Sequence, residues 1–523
     1  MEEVGPMSQS PMLPMPPRCD LAEEGYASVR AVLARHSYHE GAVLGRVGAE
    51  AIPDLFEGGF HEGIGAEAAD GLDVLIRLFL LGRGMPRAVV EEALGAEFAE
   101  GCLAQGLLRE AGPPQGLMAT VSIQPSLPGD DGLWIVSDRV VAAPEAGMPG
   151  GEGLVYPTVT PSAQVFLRYL PRRDCGRFLE VCAGCGPAAT LATDFAQEVV
   201  ASDIDGRAVQ FAQYNARLNG TARFRGVTAS LYEALEGRFS LIAAHPPYMP
   251  SDGPVEAFYG GGIDGTDLLR QLVAGLPGRL EPGGLFYAVA MAPEGEEYSA
   301  EGRLRQWLGE GSSEHDVFLF PLHERSLIEV AYEAAAKLGK GMDAVSRYRR
   351  RLLEMGHRRF VYGVILLRRH AGAERAIDVR RKLGARTRWQ ELLWCVDWES
   401  SLKSAARVQA ILDAPVVTSM QLDVQITHRA GQDGLEPVAF RAMARYPFEM
   451  ESQIQGWMAM LLGQAARAQT GAALFEGAKQ AGLIHPETPA EEFARLLAMF
   501  VSGGFLESGL SPLPTCPPRE EAE

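Results

Sequence analysis

The sequence predicts an α/β protein built on a doubly wound, Rossmann-like parallel sheet, with a helical, winged-helix-like domain before it and an α+β domain after it. Three observations lead there. The chain has 523 residues, several times the usual domain size. From Gly153 to Arg369, short apolar runs alternate with amphipathic segments, the pattern of parallel strands joined by helices. Two of those runs end in a Gly-x-Gly turn and in an acidic residue, as strands do where an open sheet receives a ligand.

Composition narrows the class. Hydrophobic residues are 47%, charged residues 22% and aromatics 8%, the profile of a folded globular chain. The net charge of −19 would repel a phosphate backbone, so nucleic acid is a disfavoured partner. A local basic stretch, Arg347, Arg349, Arg350 and Arg351 with Arg358 and Arg359, fits a solvated helix face better than a binding patch. Seven cysteines without a regular framework point to a reducing compartment and a cytoplasmic protein. The Met- and Pro-rich start lacks the apolar core of a signal peptide, and Val74–Leu81 is interrupted by Arg77, so no membrane span is expected.

In chain order, residues 1–19 read as a disordered tail, with Asp20 as N-cap of a helix over Leu21–Arg35. Residues 20–145 form the first domain: helices at Leu72–Leu81, Arg87–Leu94 and Ala96–Gln105, then strands at Leu117–Ile123 and Leu133–Val136. Its helix after Pro86 carries Glu91 and Glu92 where a DNA-reading helix would want basic residues, which favours contact with a protein or substrate. A Gly- and Pro-rich connector, Pro144–Gly153, leads to the central domain, residues 150–370. Its expected strands are Arg177–Cys182, Glu198–Asp203, Phe239–Ala244, Gly284–Met291, His315–Phe320 and Phe360–Arg369. Residues 371–510 read as the α+β domain, with helices at Ala373–Leu383 and Trp389–Leu393 and strands at Met420–His428 and Val438–Tyr446. Residues 511–523 are an acidic tail.

Chemistry concentrates in two places. Phe178–Gly186 is an apolar strand running into Gly184-x-Gly186, where missing side chains let a ligand approach the backbone. Asp203 ends the next strand, where a carboxylate can accept hydrogen bonds from both ribose hydroxyls. Glu180 suits a cationic sulfonium and not a pyrophosphate. Cys182 and Cys185 read as small residues of a tight loop, since no second Cys pair completes a metal site. The other place is Phe239–Tyr248, a strand that stops at His245-Pro246-Pro247-Tyr248. Two prolines hold the loop extended, so the Pro246 carbonyl and the His245 side chain can hold an acceptor nitrogen in line with a methyl donor, while Tyr248 stacks on it.

These motifs resemble the HemK/PrmC-like class I methyltransferases, whose hallmark is Asn-Pro-Pro-Tyr after the fourth strand. The resemblance covers about residues 150–370 and includes Val155–Ser162, Glu180–Gly186, Asp203, Asn215–Asn219, the Pro-Pro-Tyr loop, Gly261–Gly265 and Leu280–Gly284. It implies a seven-stranded core and S-adenosyl-L-methionine as cofactor. The methionine moiety would lie on Glu180, Gly184 and Gly186 and the ribose on Asp203, with Ala183, Ile204 and His245 also contacting the cofactor, and Ser230 or a backbone group would take the place of the family's adenine-binding Asp. The acceptor would meet Tyr156, Pro157, Pro247 and Tyr248, and no metal is implied. The family's Asn is His245 here. An imidazole offers one donor or acceptor per nitrogen and can take a proton, so His245 is open to reading as a general base, or as a strand-end histidine with a satisfied hydrogen bond. The leading expectation is direct methyl transfer to a nitrogen of a small molecule or a protein. Protein glutamine methylation, an rRNA- or DNA-modifying enzyme using its flanks, and a binding module without turnover stay open, as does the oligomeric state.

Overall fold

The computed structural model describes residues 14–52, 54, 68, 70–126, 132–139, 153–158, 160–221, 223–251, 260–431 and 434–515. The tail up to residue 13, the connector up to residue 152 and the acidic tail from 516 lie outside them. The chain divides into two compact units, Met1–Gly309 with Arg325–Tyr362, and Glu310–Glu324 with Gly363–Glu523.

The first unit opens with a helix over Glu23–Arg35, two residues later than the sequence suggests. Asp20 is not its cap: its carboxylate pairs with Arg18 at 2.9 Å, and the acidic Glu23 and Glu24 in the first turn complement the helix dipole instead. The expected helix Leu72–Leu81 is a short α-helix, Gly71–Leu75, capped by Asp70 and continued by a π-turn over Ile76–Leu80. The expected strand Leu117–Ile123 is two strands, Gly116–Ala119 and Val121–Ser126. Thr120 breaks it, because its N–H turns aside to the Leu107 carbonyl at 2.9 Å. The first piece pairs antiparallel with Leu108–Gly112 and the second with Leu133–Asp138.

Five parallel strands follow in this unit: β1 (Cys175–Val181), β2 (Ala196–Asp203), β3 (Phe224–Thr228), β4 (Phe239–Ala244) and β5 (Leu280–Gly295). Their order is β5-β4-β1-β2-β3, with Leu179 of β1 between Val200 of β2 and Ile242 of β4. Phe178, Leu179, Val199, Val200 and Ile242 are fully buried, which is why these strands read as unbroken apolar runs and not as alternating ones. Strand β3, half-buried at the edge, has no such run and escapes a reading by hydrophobicity. The helices are α1 (Pro161–Tyr169), α2 (Pro187–Ala192), α3 (Gly206–Leu218) and α4 (Asp267–Arg279). The chain leaves β1 toward β2 and β3 on one side, and places β4 and β5 on the other. A crevice therefore opens between the carboxyl ends of β1 and β4. A helical pair, α5 (Leu327–Lys337) and α6 (Met342–Glu354), packs through Ala331, Ala334 and Ala335 against Ala344, Val345 and Tyr348. Arg347, Arg349, Arg350 and Arg351 are exposed on α6.

In the second unit, the expected helix Ala373–Leu383 is replaced by two short strands, Asp378–Arg380 and Lys382–Leu383. The first pairs in parallel with Val317–Leu319, which captures the Ile377 carbonyl (2.9 Å) and the Arg381 N–H (3.1 Å); tertiary pairing overrides a helix-compatible composition. Helix Trp389–Ser401 follows, then strands Leu422–Gly431, Gly434–Ala444 and Phe448–Ile454 and helices Gly456–Gln464, Gly471–Gln480 and Ala490–Ser502. Among the described residues no helix is long and apolar enough to cross a membrane.

Candidate active site

A cavity of about 260 Å³ lies at the crevice between β1 and β4. The loop after β1 forms one wall. At Gly184 the backbone has φ 53° and nothing stands within 4 Å of where a Cβ would be, so the main chain is open to the cavity. Gly186 differs: it has φ 68°, a Cβ there would meet the Ala212 Cβ at 2.7 Å, and it does not line the cavity. The second glycine lets the loop press on α3.

Asp203 ends β2 with both carboxylate oxygens engaged, Oδ2 by the Gly184 N–H at 2.8 Å and Oδ1 by the Asp205 N–H at 3.0 Å. Burial pushes its pKa above the usual carboxylate value, although these N–H groups oppose the shift. Each oxygen keeps capacity for a further donor. Glu180 is buried and accepts from the first turn of α2, from Ala189 N–H at 2.6 Å and Ala188 N–H at 3.4 Å. Burial nevertheless pushes its carboxyl up to about 8. Ala183, Ser230 and the 65% exposed Ile204 complete this end of the wall.

At the other end His245, Pro246, Pro247 and Tyr248 leave β4 into the same cavity. The His245 ring stacks on Phe166 of α1 (centroids 5.2 Å apart, planes 17°), and Phe166 stacks on Tyr287 of β5 at 5.3 Å. The Tyr287 hydroxyl donates to the Phe166 carbonyl at 2.6 Å and fixes the stack. Among the described residues His245 Nε2 is buried with no hydrogen-bond partner, and burial lowers the imidazole to about 4, so the ring is neutral near pH 7. At Nε2, the hydrogen bond that a purely structural strand-end histidine would make is missing among the described residues. Tyr248 sits between His245 (6.1 Å) and Tyr362 (5.6 Å).

The loop Gly261–Gly265 backs this wall. Gly261 N–H donates to the Met249 carbonyl at 3.0 Å and Ser251 N–H to the Gly262 carbonyl at 2.8 Å. Gly265, at φ 83°, packs so closely that a Cβ would stand 2.4 Å from the Tyr248 carbonyl oxygen. Buried Asp264 anchors the loop by accepting from Thr266 (N–H 2.9 Å, Oγ1 2.7 Å) and contacting His357 Nε2 at 3.1 Å, whose Nδ1 meets the Tyr298 hydroxyl at 2.5 Å. Burial would raise the Asp264 carboxyl, but the His357 and Thr266 hydrogen bonds outweigh it and hold the pKa below the ordinary value.

Tyr156 and Pro157 line the cavity from the segment before α1. That segment is held by the N-terminal strands: Val155 N–H donates to Asp138 at 2.7 Å, Asp138 also pairs with Arg207, and Thr158 N–H donates to Gln124 Oε1 at 2.9 Å. Asn215 of α3 gives its amide to the carbonyls of Val136 (2.9 Å) and Cys185 (2.8 Å) and accepts from Val136 N–H (2.8 Å). It joins the Gly-x-Gly loop to strand Leu133–Asp138. The Cys185 thiol donates to the Tyr156 carbonyl at 3.5 Å. Sequence reasoning missed Phe166, Leu268 and Lys337 in the wall; none stands in a motif, and Lys337 reaches the site from α5, far along the chain.

Elsewhere among the described residues, Asp316, His370 and Glu374 bring ligand-type atoms within 4.8 Å of one another. The Lys403 ammonium already fills that cluster, at 2.7 Å from Asp316 and 3.0 Å from Glu374, which makes it an ion-pair network.

Residues 156–310 match the family model described as the methyltransferase small domain, and residues 61–120 match a domain of unknown function, DUF7059. The release factor glutamine methyltransferase of Deinococcus radiodurans is 34% identical over 157 residues, 28% of this chain and 56% of that protein. That of Bordetella pertussis is 29% identical over 192 residues, 31% of this chain and 71% of its own. The ribosomal protein uL3 glutamine methyltransferase of Bradyrhizobium diazoefficiens is 31% identical over 157 residues, 27% and 49% of the two chains. The chain thus spans between 49% and 71% of the length of these relatives. Sheet order, the loops after β1 and β4 and these matches agree: residues 156–310 match a methyltransferase domain and are similar to the glutamine methyltransferases of the HemK-like class I group.

Proposed function

We propose that the protein transfers a methyl group from S-adenosyl-L-methionine to a side-chain nitrogen of a protein, with an amide of the glutamine type as the acceptor class. The observation that carries this reading is the convergence of Asp203, Gly184 and the His245–Tyr248 loop on one cavity, with a buried His245 Nε2 in its wall that has no partner among the described residues. The residues fit the cofactor. Open space beside Gly184 admits a ligand against the backbone, Asp203 keeps acceptor capacity for a ribose, and Glu180 offers a carboxyl to a cationic centre. When bound, S-adenosylmethionine supplies an electrophilic methyl group on a sulfonium.

The chain's own part is positioning. The Pro246 carbonyl accepts one hydrogen of the acceptor nitrogen. His245, kept neutral by burial, offers Nε2 as a second hydrogen-bonding group to the acceptor amide. A group with a pKa of about 4 is a weak base, so His245 orients the nitrogen and does not remove its proton in advance. Phe166 and Tyr287 lock the ring plane, and Tyr248 with Tyr362 covers the acceptor and excludes water. Relatives named as release factor and ribosomal protein methyltransferases support a protein acceptor. Exposed Arg347, Arg349, Arg350 and Arg351 on α6 leave nucleic acid as the second reading.

Calorimetry of the full chain with S-adenosylmethionine tests the root of the proposal. Binding is expected, and Asp203→Ala should weaken it at least about tenfold through loss of a charged hydrogen-bonding group. Absent binding, or binding indifferent to Asp203→Ala, overturns it. Transfer of labelled methyl to release factors or ribosomal proteins, followed by mapping of the modified residue, then tests the acceptor class.

A further inference from the structure

A four-stranded sheet of the second unit ends in an open edge. Its strands run Lys382–Leu383, Phe448–Ile454, Gly434–Ala444, Leu422–Gly431, and the last, a ten-residue strand, has no neighbour on its outer side among the described residues. It carries neither Pro nor Lys, and the one register shift in its pairing, between Thr427 and His428, takes up an extra residue on the adjacent strand and leaves the edge strand regular. Natural edges usually carry such devices to block strand addition. The third strand supports the hairpin only as far as Phe440, opposite Ile454. Beyond it, toward the tip, the hairpin is a two-stranded ribbon exposed on both faces, a form that is marginal in water by itself.

The ribbon is nonetheless amphipathic. Val424 faces Ala442, Ile426 faces Phe440 and Ala430 faces Leu435 across the ladder, so these side chains share one face. Val424, Ile426 and Leu435 are 39%, 45% and 73% exposed there. Asp423, Gln425, Thr427 and Arg429 occupy the opposite face.

We propose that this edge is the interface for a second copy of the same chain, with the two Leu422–Gly431 strands pairing antiparallel about a two-fold axis through Ile426. Charge complementarity selects this occupant and this register. With Ile426 opposite Ile426 of the partner subunit, Asp423 falls opposite Arg429 of the partner subunit, and the symmetry repeats that pair. Gln425 meets Thr427 of the partner subunit, and Val424 meets His428 of the partner subunit. A slip of two residues either way loses both ion pairs, and a slip of one sets the apolar face against the polar one. In this register the tip of each ribbon, which lacks a third strand of its own, lies beside the base of the other. The pairing is isologous and closes after two subunits.

Sedimentation of the full chain over a concentration series tests this inference, which stands apart from the methyl-transfer reading. A monomer–dimer equilibrium is expected. Ile426→Lys, which sets two like charges across the axis, should give a monomer, and Asp423→Arg should weaken dimerisation by about tenfold or more. The charge-swapped double variant Asp423→Arg with Arg429→Asp should restore it, which a merely local role of either residue would not do. Circular dichroism and thermal unfolding, unchanged in all three variants, report that the chain is folded. A wild-type monomer at every concentration overturns the proposal, and so does a double variant as weak as Asp423→Arg. A monomer that instead captures an added β-strand peptide at this edge assigns the surface to another protein and overturns it equally.

Discussion

In the proposed methyl transfer, His245 is the residue on which the chemistry turns. A neutral, stacked imidazole with a buried Nε2 is a positioned hydrogen-bonding group and a poor base. At saturating substrates, kcat should therefore show no limb near the ordinary histidine value of about 6.5. His245→Asn should keep activity within about tenfold, and His245→Ala should lose about a hundredfold, the scale seen when one positioned hydrogen-bonding group is removed. A limb near that pKa that disappears in His245→Asn would restore the general-base role. Glu180 makes a separate prediction. Its carboxyl is raised from 4.5 to about 8, so across that interval the folded chain holds a proton that the unfolded chain releases. This group's contribution to stability is therefore fully present below 4.5 and is lost as pH rises to about 8. A cationic ligand beside it favours the anion, so S-adenosylmethionine should bind more tightly as pH rises toward 8 and should release a proton near neutrality. Calorimetry in buffers of different ionisation enthalpy measures that proton. Glu180→Gln should remove it, and its persistence would exclude Glu180 as the source.

Among the elements, the turn from β1 into α2 separates two glycines that look alike in sequence. Gly184→Ala meets no neighbour and should cost about 1–2 kcal/mol of backbone strain while weakening cofactor binding. Gly186→Ala adds a 2.7 Å contact with Ala212 to the same kind of strain and should cost about 2–4 kcal/mol in denaturant unfolding. Equal stability of the two variants would contradict this division of labour. The same turn marks how far the sequence could be read. Strands β1, β2 and β4 are buried on both faces and announce themselves as apolar runs, and the residues at their carboxyl ends follow directly. Strand β3 and the pair Asp378–Arg380 and Lys382–Leu383 are held by their neighbours, so no local pattern marks them. Phe166 and Lys337 were invisible for a related reason: only the fold brings α1 and the end of α5 to the cavity, whereas motifs advertise the loops.

For the whole molecule, the net charge of −19 sets a strong expectation. The averaged field opposes nucleic acid, and Arg347, Arg349, Arg350 and Arg351 form a small local exception on α6. The full chain should pass through a nucleic-acid column at about physiological salt, and replacing these arginines should change little. Steep, salt-sensitive retention abolished by those substitutions would favour an RNA-associated acceptor.

The clasp of Asn215 has a consequence for control. It ties the Cys185 carbonyl in the cofactor loop to Val136 in the N-terminal strands through a single buried side chain. A macromolecule that shifted those strands would pull on the loop as well, and its binding would then be linked to that of a ligand held by the loop. Linkage is reciprocal: the factor by which a partner tightens cofactor binding is the factor by which the cofactor tightens the partner.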